Sequence, residues 1–123
     1  MRPIIAGTAI DLYDSSPVPQ SKESGWAVPD ELRERWELRL GDARALLPAA
    51  LEEAGEVQLF FHDNLHSRDH MLFEFESIWP HLARGGVLVA DDVFQRKHDG
   101  LPASAREVGR SFTTFGNLGL IRK

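Results

Sequence analysis

Four short apolar segments of this sequence finish at or beside an acid: Asp11, Asp42, Asp63, and the pair Asp91-Asp92. If those segments are parallel strands, the acids collect on one rim, where ligands of such sheets bind. A rim of carboxylates does not cradle phosphate by itself. It accepts hydrogen bonds from ribose hydroxyls, holds a divalent cation, or does both. Aspartate also favours strand ends and helix N-caps for local reasons, and Asp42 fits that plainer reading equally well. Asp91-Asp92 fits it less well, because adjacent carboxylates after a buried strand repel unless something neutralises them.

Histidines recur every four residues at His62, His66 and His70. His66 follows Asp63 by three residues, on the loop expected at the rim, from which an imidazole can take a proton from a substrate hydroxyl. A surface or helix-capping role is its plain alternative. A zinc site of Asp63, His66 and His70, suited to a metal hydrolase, is chemically possible. Its weakness is that Asn64-Leu65 read as a turn, so helical spacing starts too late. His81 and His98 stand out in no way from ordinary surface residues.

The elements that must position these groups are clearest over residues 57–94. Residues 57–61 form an apolar run suited to a buried strand. Residues 67–82 place Met71, Phe75, Ile78 and Leu82 on one helical face, with Leu72 and Trp79 beside them. Ala83-Arg84-Gly85-Gly86 reads as a helix stop, and residues 87–90 as a strand apolar on both faces. The unit is a βαβ crossover whose two strand ends lie side by side.

Elsewhere, residues 8–12 read as a strand and residues 13–28 as a loop rich in Ser, Pro and Gly, in which Trp26 can fold over something. A short helix follows Pro29 through Arg35. Residues 36–40 alternate as a strand nearer the sheet edge. A helix then includes Leu46, Leu47, Ala50, Leu51 and Ala54, either starting at Pro48 or kinked there, and closes at Gly55. Residues 103–108 form a helix of barely two turns, and Gly116-Asn117 join residues 111–115 and 118–122 as a hairpin. The fold class is α/β: a mostly parallel sheet covered on both faces, with an antiparallel pair at one edge.

With 123 residues, the chain reads as a single domain. Its 42% hydrophobic and 27% charged content is that of a soluble globular protein. A net charge of −5 with no Lys/Arg run argues against nucleic-acid and anionic-membrane partners. Cysteine is absent, which removes disulfide and thiolate chemistry. No signal-peptide core or membrane-length run is present, so a cytoplasmic location is expected.

Residues 60–93 resemble the later half of class I S-adenosylmethionine-dependent methyltransferases, and more closely the metal-assisted O-methyltransferases acting on sugars and catechols. The resemblance rests on Asp63–His66 as D-x-x-H, on Pro80, Leu82, Gly85 and Gly86 as P-x-L-x-x-G-G, and on the paired acid Asp91-Asp92. Upstream, Ala9-Ile10-Asp11-Leu12 is similar to the strand whose acid holds the cofactor ribose, and Gly41-Asp42-Ala43 to the segment lining the adenine. The resemblance implies a Rossmann-like methyltransferase sheet binding S-adenosylmethionine through Asp11, Asp42, Ala43 and Asp63. It also implies a divalent cation, Mg²⁺ by preference, on Asp63, Asp91 and Asp92, and His66 as the base for a small-molecule hydroxyl.

The family's first strand, glycine-rich loop and helix have no counterpart in this sequence. The missing strand normally sits mid-sheet, so its absence leaves two edges with unpaired backbone groups. Three repairs are open. The strand ending at Asp11 pairs with residues 57–61, residues 1–6 fill part of the space, or a second copy completes the sheet as a homodimer. The rival to an enzyme is a non-catalytic oligomerising or partner-binding remnant of the same fold.

Overall fold

The computed structural model describes residues 6–11, 22–23, 25–63, 67–91 and 100–123. The chain divides into two compact units, Met1–Ala50 and Leu51–Lys123. In the first, β1 (Gly7–Asp11) and β2 (Trp36–Leu40) pair in parallel, in register from Gly7↔Trp36 to Asp11↔Leu40. Between them lies a single helical turn, α1 (Asp30–Arg33), with Pro29 before it and Asp30 and Glu31 in its first turn. Proline presets the entry dihedral there, and the acids face the positive end of the helix dipole. Trp26 is half exposed, with the Lys22 ammonium over its ring, 5.6 Å from the centroid.

Helix α2 (Ala43–Ala54) settles the two readings of Pro48: it runs through the proline without a break. One backbone hydrogen bond is given up, since Pro48 has no N–H. Gly55 closes the helix as expected, with φ +71° and its N–H on the Leu51 carbonyl.

The second unit contains β3 (Val57–His62), α3 (Arg68–Ile78), β4 (Leu82–Ala90), α4 (Gly100–Glu107), β5 (Thr113–Phe115) and β6 (Leu118–Arg122). Its sheet runs β3-β4-β6-β5, with β3 and β4 parallel and the other neighbours antiparallel. The βαβ crossover and the closing hairpin are both present. Leu88 of β4 lies opposite Ile121 of β6, and both are almost wholly buried with Met71, Phe75, Ile78 and Leu101. Where α3 and α4 cover this face, Phe75, Trp79, Leu88, Ser104, Val108 and Ile121 line a cavity of about 20 Å³. That is room for a water molecule, not for a substrate.

The end of α3 departs from the sequence reading. The helix stops at Ile78 instead of Leu82, and a 3-10 turn over Trp79–His81 leads straight into β4. Pro80 is the cause: it has no N–H to donate to the Glu76 carbonyl and its ring crowds that carbonyl, while Trp79 before it keeps helical dihedrals (φ −54°, ψ −45°). Ala83-Arg84-Gly85-Gly86 is therefore the irregular first half of a strand, not a helix stop. The register with β3 jumps there, from Val57↔Leu82 to Leu59↔Val87. Gly85 takes φ +80°, and Lys123 stitches the irregularity down: its carbonyl accepts the Gly85 N–H at 2.9 Å and its N–H donates to the Gly86 carbonyl at 3.0 Å.

Among the described residues, β1 pairs only with β2 and β3 only with β4. Among the described residues no strand pairs with the outer edge of β3, and Leu59 and Phe61 of that strand are 62% and 52% exposed. No helix among the described residues is long and apolar enough to cross a membrane.

Two neighbouring glycines give a contrast that tests the β4 irregularity. A Cβ on Gly86 would lie 2.7 Å from the Ala83 carbonyl oxygen, whereas one on Gly85 meets nothing. Gly86→Ala is expected to destabilise by roughly 1–3 kcal/mol through overpacking against backbone. Gly85→Ala should cost about 1 kcal/mol, from its left-handed backbone alone. Urea unfolding of both variants checks the order.

Candidate functional site

Two pairs of acids form, one in each unit. In the first, Asp11 ends β1 and is half buried, and its carbonyl accepts the Gly41 N–H at 2.8 Å. That bond sets Asp11 beside the turn that carries Asp42. Asp42 is exposed, and its carboxylate accepts the Arg44 N–H at 2.7 Å while its carbonyl takes the Ala45 and Leu46 N–H groups at 3.0 Å. It thus caps α2, the local role weighed against a ligand role from the sequence. Ala43, the other residue of the expected adenine segment, is buried in the first turn of that helix.

In the second unit, β3 and β4 end in register at His62↔Ala90, so Asp63 and Asp91 leave adjacent parallel strands together. The Asp91 N–H donates to the His62 carbonyl at 2.9 Å. Neighbouring strands lie about 4.8 Å apart, so the backbones of the two residues run side by side. Asp63 is exposed and Asp91 half buried. Carboxylate oxygens are hard donors that suit Mg²⁺, whose remaining positions are commonly filled by water and substrate. No group of three His, Cys, Asp or Glu side chains that could hold a metal occurs among the described residues. Asp92, the expected third ligand, and His66, the expected base, both lie outside the described residues.

The sequence reading missed a buried polar cluster behind this pair. Glu74, on the apolar face of α3, is 3% exposed, and its carboxylate lies 2.5 Å from His62 Nδ1 and 3.0 Å from His70 Nε2. His62 also packs edge-on against Phe75, with ring centroids 5.5 Å apart. The period of four in the histidines made a zinc site with His66 and Asp63 chemically possible, with helical spacing starting too late for it. His70 is turned inward onto the Glu74 carboxylate. The signal that could have found the cluster is Glu74 itself: a charge between Met71, Phe75 and Ile78 needs a buried partner.

Residues 6–93 match the model of a family described as a methyltransferase domain. Comparison with curated proteins returns no match. Among solved structures, the chain is similar to apo CalS11, a TDP-rhamnose 3'-O-methyltransferase of calicheamicin biosynthesis, at 20% identity and a TM-score of 0.65. That alignment covers 94% of this chain and 57% of CalS11. It is also similar to MycE, a methyltransferase of the mycinamycin pathway solved with Mg, SAH and mycinamycin VI. There the identity is 14% and the TM-score 0.62, over 93% of this chain and 44% of MycE. The chain therefore spans about half the length of these enzymes, and the likeness establishes a Rossmann-like methyltransferase fold.

Asp42→Ala is expected to cost about 1 kcal/mol through the lost cap, and Asp42→Asn much less. Denaturant midpoints of the two variants measure how much of this residue's role is capping.

Proposed function

We propose that this chain, which belongs to the methyltransferase-domain family, is a single methyltransferase-like domain of an S-adenosylmethionine-dependent O-methyltransferase acting on a small-molecule hydroxyl. The observation that carries the proposal is the in-register end of β3 and β4, which sets Asp63 beside Asp91. The family match runs through both compact units, from residue 6 to residue 93, which supports reading them as one domain.

In this reading Asp63, Asp91 and Asp92 hold Mg²⁺, as fits their all-oxygen donor set. When bound, Mg²⁺ lowers the pKa of a substrate hydroxyl, and S-adenosylmethionine supplies the methyl group. The chain's own groups orient and deprotonate. Asp63 and Asp91 present their carboxylates on one side of the substrate oxygen. His66, three residues beyond Asp63, accepts its proton. Asp11 accepts hydrogen bonds from the ribose hydroxyls, with Asp63 also on the cofactor side, and Asp42 and Ala43 line the adenine. The protein works in the cytoplasm, with neither nucleic acid nor membrane as a partner.

Completion of the sheet falls to a second copy. Among the described residues the outer edge of β3 has no partner strand, and Leu59 and Phe61 of that strand are exposed. A two-fold axis beside that edge would pair it with its own mate and bury both side chains. The same edge is what favours the rival reading, an oligomerising remnant without catalysis.

Calorimetric titration of the folded chain with S-adenosylmethionine and with MgCl₂ separates the two. The enzyme reading expects heat from both ligands, with Asp63→Asn and Asp91→Asn each weakening Mg²⁺ by roughly tenfold or more as ligand charge is lost. A folded chain that gives no heat with either ligand contradicts it. Light scattering should find a dimer that Phe61→Lys breaks. A dimer that binds neither ligand would leave the scaffold reading standing.

A further inference from the structure

The geometry points to Glu74 as a positioning residue that sets the Asp63–Asp91 pair from behind, acting through His62. The inference rests on the functional reading of that pair and adds a residue to it.

Glu74 occupies a helix face that an apolar side chain would fill at less cost. Burying a carboxylate is expensive unless its oxygens are fully partnered, and an apolar replacement of such a group is often neutral or stabilising. Packing alone therefore does not explain its presence. What the carboxylate does is hold two imidazoles at once, His62 Nδ1 at 2.5 Å and His70 Nε2 at 3.0 Å. A carboxylate is acceptor-only, so it fixes the N–H of His62 at Nδ1 and that of His70 at Nε2. His62 is thereby held on three sides. Glu74 takes its ring nitrogen, the Phe75 ring lies edge-on to it, and its own carbonyl accepts the Asp91 N–H at 2.9 Å.

The consequence is a short mechanical path from α3 to the strand ends. His62 is the last residue of β3 and the direct neighbour of Asp63. Its carbonyl is also the point at which Asp91 is tied to β3. A His62 ring free to change rotamer would loosen both at once. Orientation of a ligand set is commonly lost with its supporting hydrogen bonds, at a cost of about 10–100-fold in metal affinity.

Native-state amide exchange, combined with Mn²⁺ binding followed by electron paramagnetic resonance, tests the proposal on the intact chain. In Glu74→Gln the Asp91 amide is expected to exchange about tenfold faster relative to the Leu88 amide, because only the strand end loosens. Mn²⁺ affinity should fall about tenfold. His70→Gln, which keeps a side-chain N–H for Glu74, should behave as wild type. If Glu74→Gln does not fold, Glu74→Asp keeps the charge, lacks the reach, and carries the same expectation. Asp91 and Leu88 amides accelerating together would show a purely structural role and overturn the proposal, as would no change in either. If the wild type binds no Mn²⁺, the cation reading of the acids fails, while the ratio of the two exchange rates still decides whether Glu74 positions the strand ends.

Discussion

The hydrogen bond from the Asp91 amide to the His62 carbonyl, 2.9 Å long, is where fold and chemistry meet in this chain. It is the last rung of a parallel pairing whose register runs Phe60↔Leu88, Phe61↔Val89 and His62↔Ala90. In parallel strands the side chains beyond the last rung leave in the same direction, so the register alone decides that Asp63 and Asp91 are neighbours. A slip of one residue would turn one carboxylate onto the other face of the sheet. That register is held from the far side as well. Over Val87–Ala90, β4 is paired on both sides, with β3 and β6, and the cross-strand neighbours Leu88 and Ile121 are both buried.

The other end of β4 shows how the pairing survives an imperfect sequence. Ala83-Arg84-Gly85-Gly86 cannot run as a regular strand, with Gly85 at φ +80°, and the register with β3 jumps there. The last residue of the chain absorbs the defect. Lys123 bonds Gly85 and Gly86 through its backbone, and its ammonium donates to the Trp79 carbonyl at 2.7 Å. The irregular half of the strand lies away from the acids, and the regular half delivers them.

Much of this was legible in the sequence, for reasons that differ by element. Residues 36–40 and 118–122 were read with their observed ends, because alternation and the Gly116-Asn117 turn are local signals. Helix α3 was found from its apolar face, but its end was misplaced, since Leu82 continues the helical spacing while Pro80 breaks the backbone. Asp63 and Asp91 were legible as a pair because a βαβ unit has one outcome for its strand ends. The Glu74 cluster was not. Partnering of a buried carboxylate by His62, twelve residues earlier, depends on how α3 packs on β3, and spacing along the chain does not encode that. The exposure of Leu59 and Phe61 became visible only with the strand order, in which no described strand pairs with the outer edge of β3.

The account stands on Asp63 and Asp91 acting as one ligand set. Crystals grown with Mn²⁺ and S-adenosylhomocysteine test this most directly, by anomalous scattering at the manganese edge. The predicted result is a single peak within coordination distance of both carboxylates. A peak bound elsewhere, or a saturating Mn²⁺ soak that leaves the space between Asp63 and Asp91 without one, would contradict it.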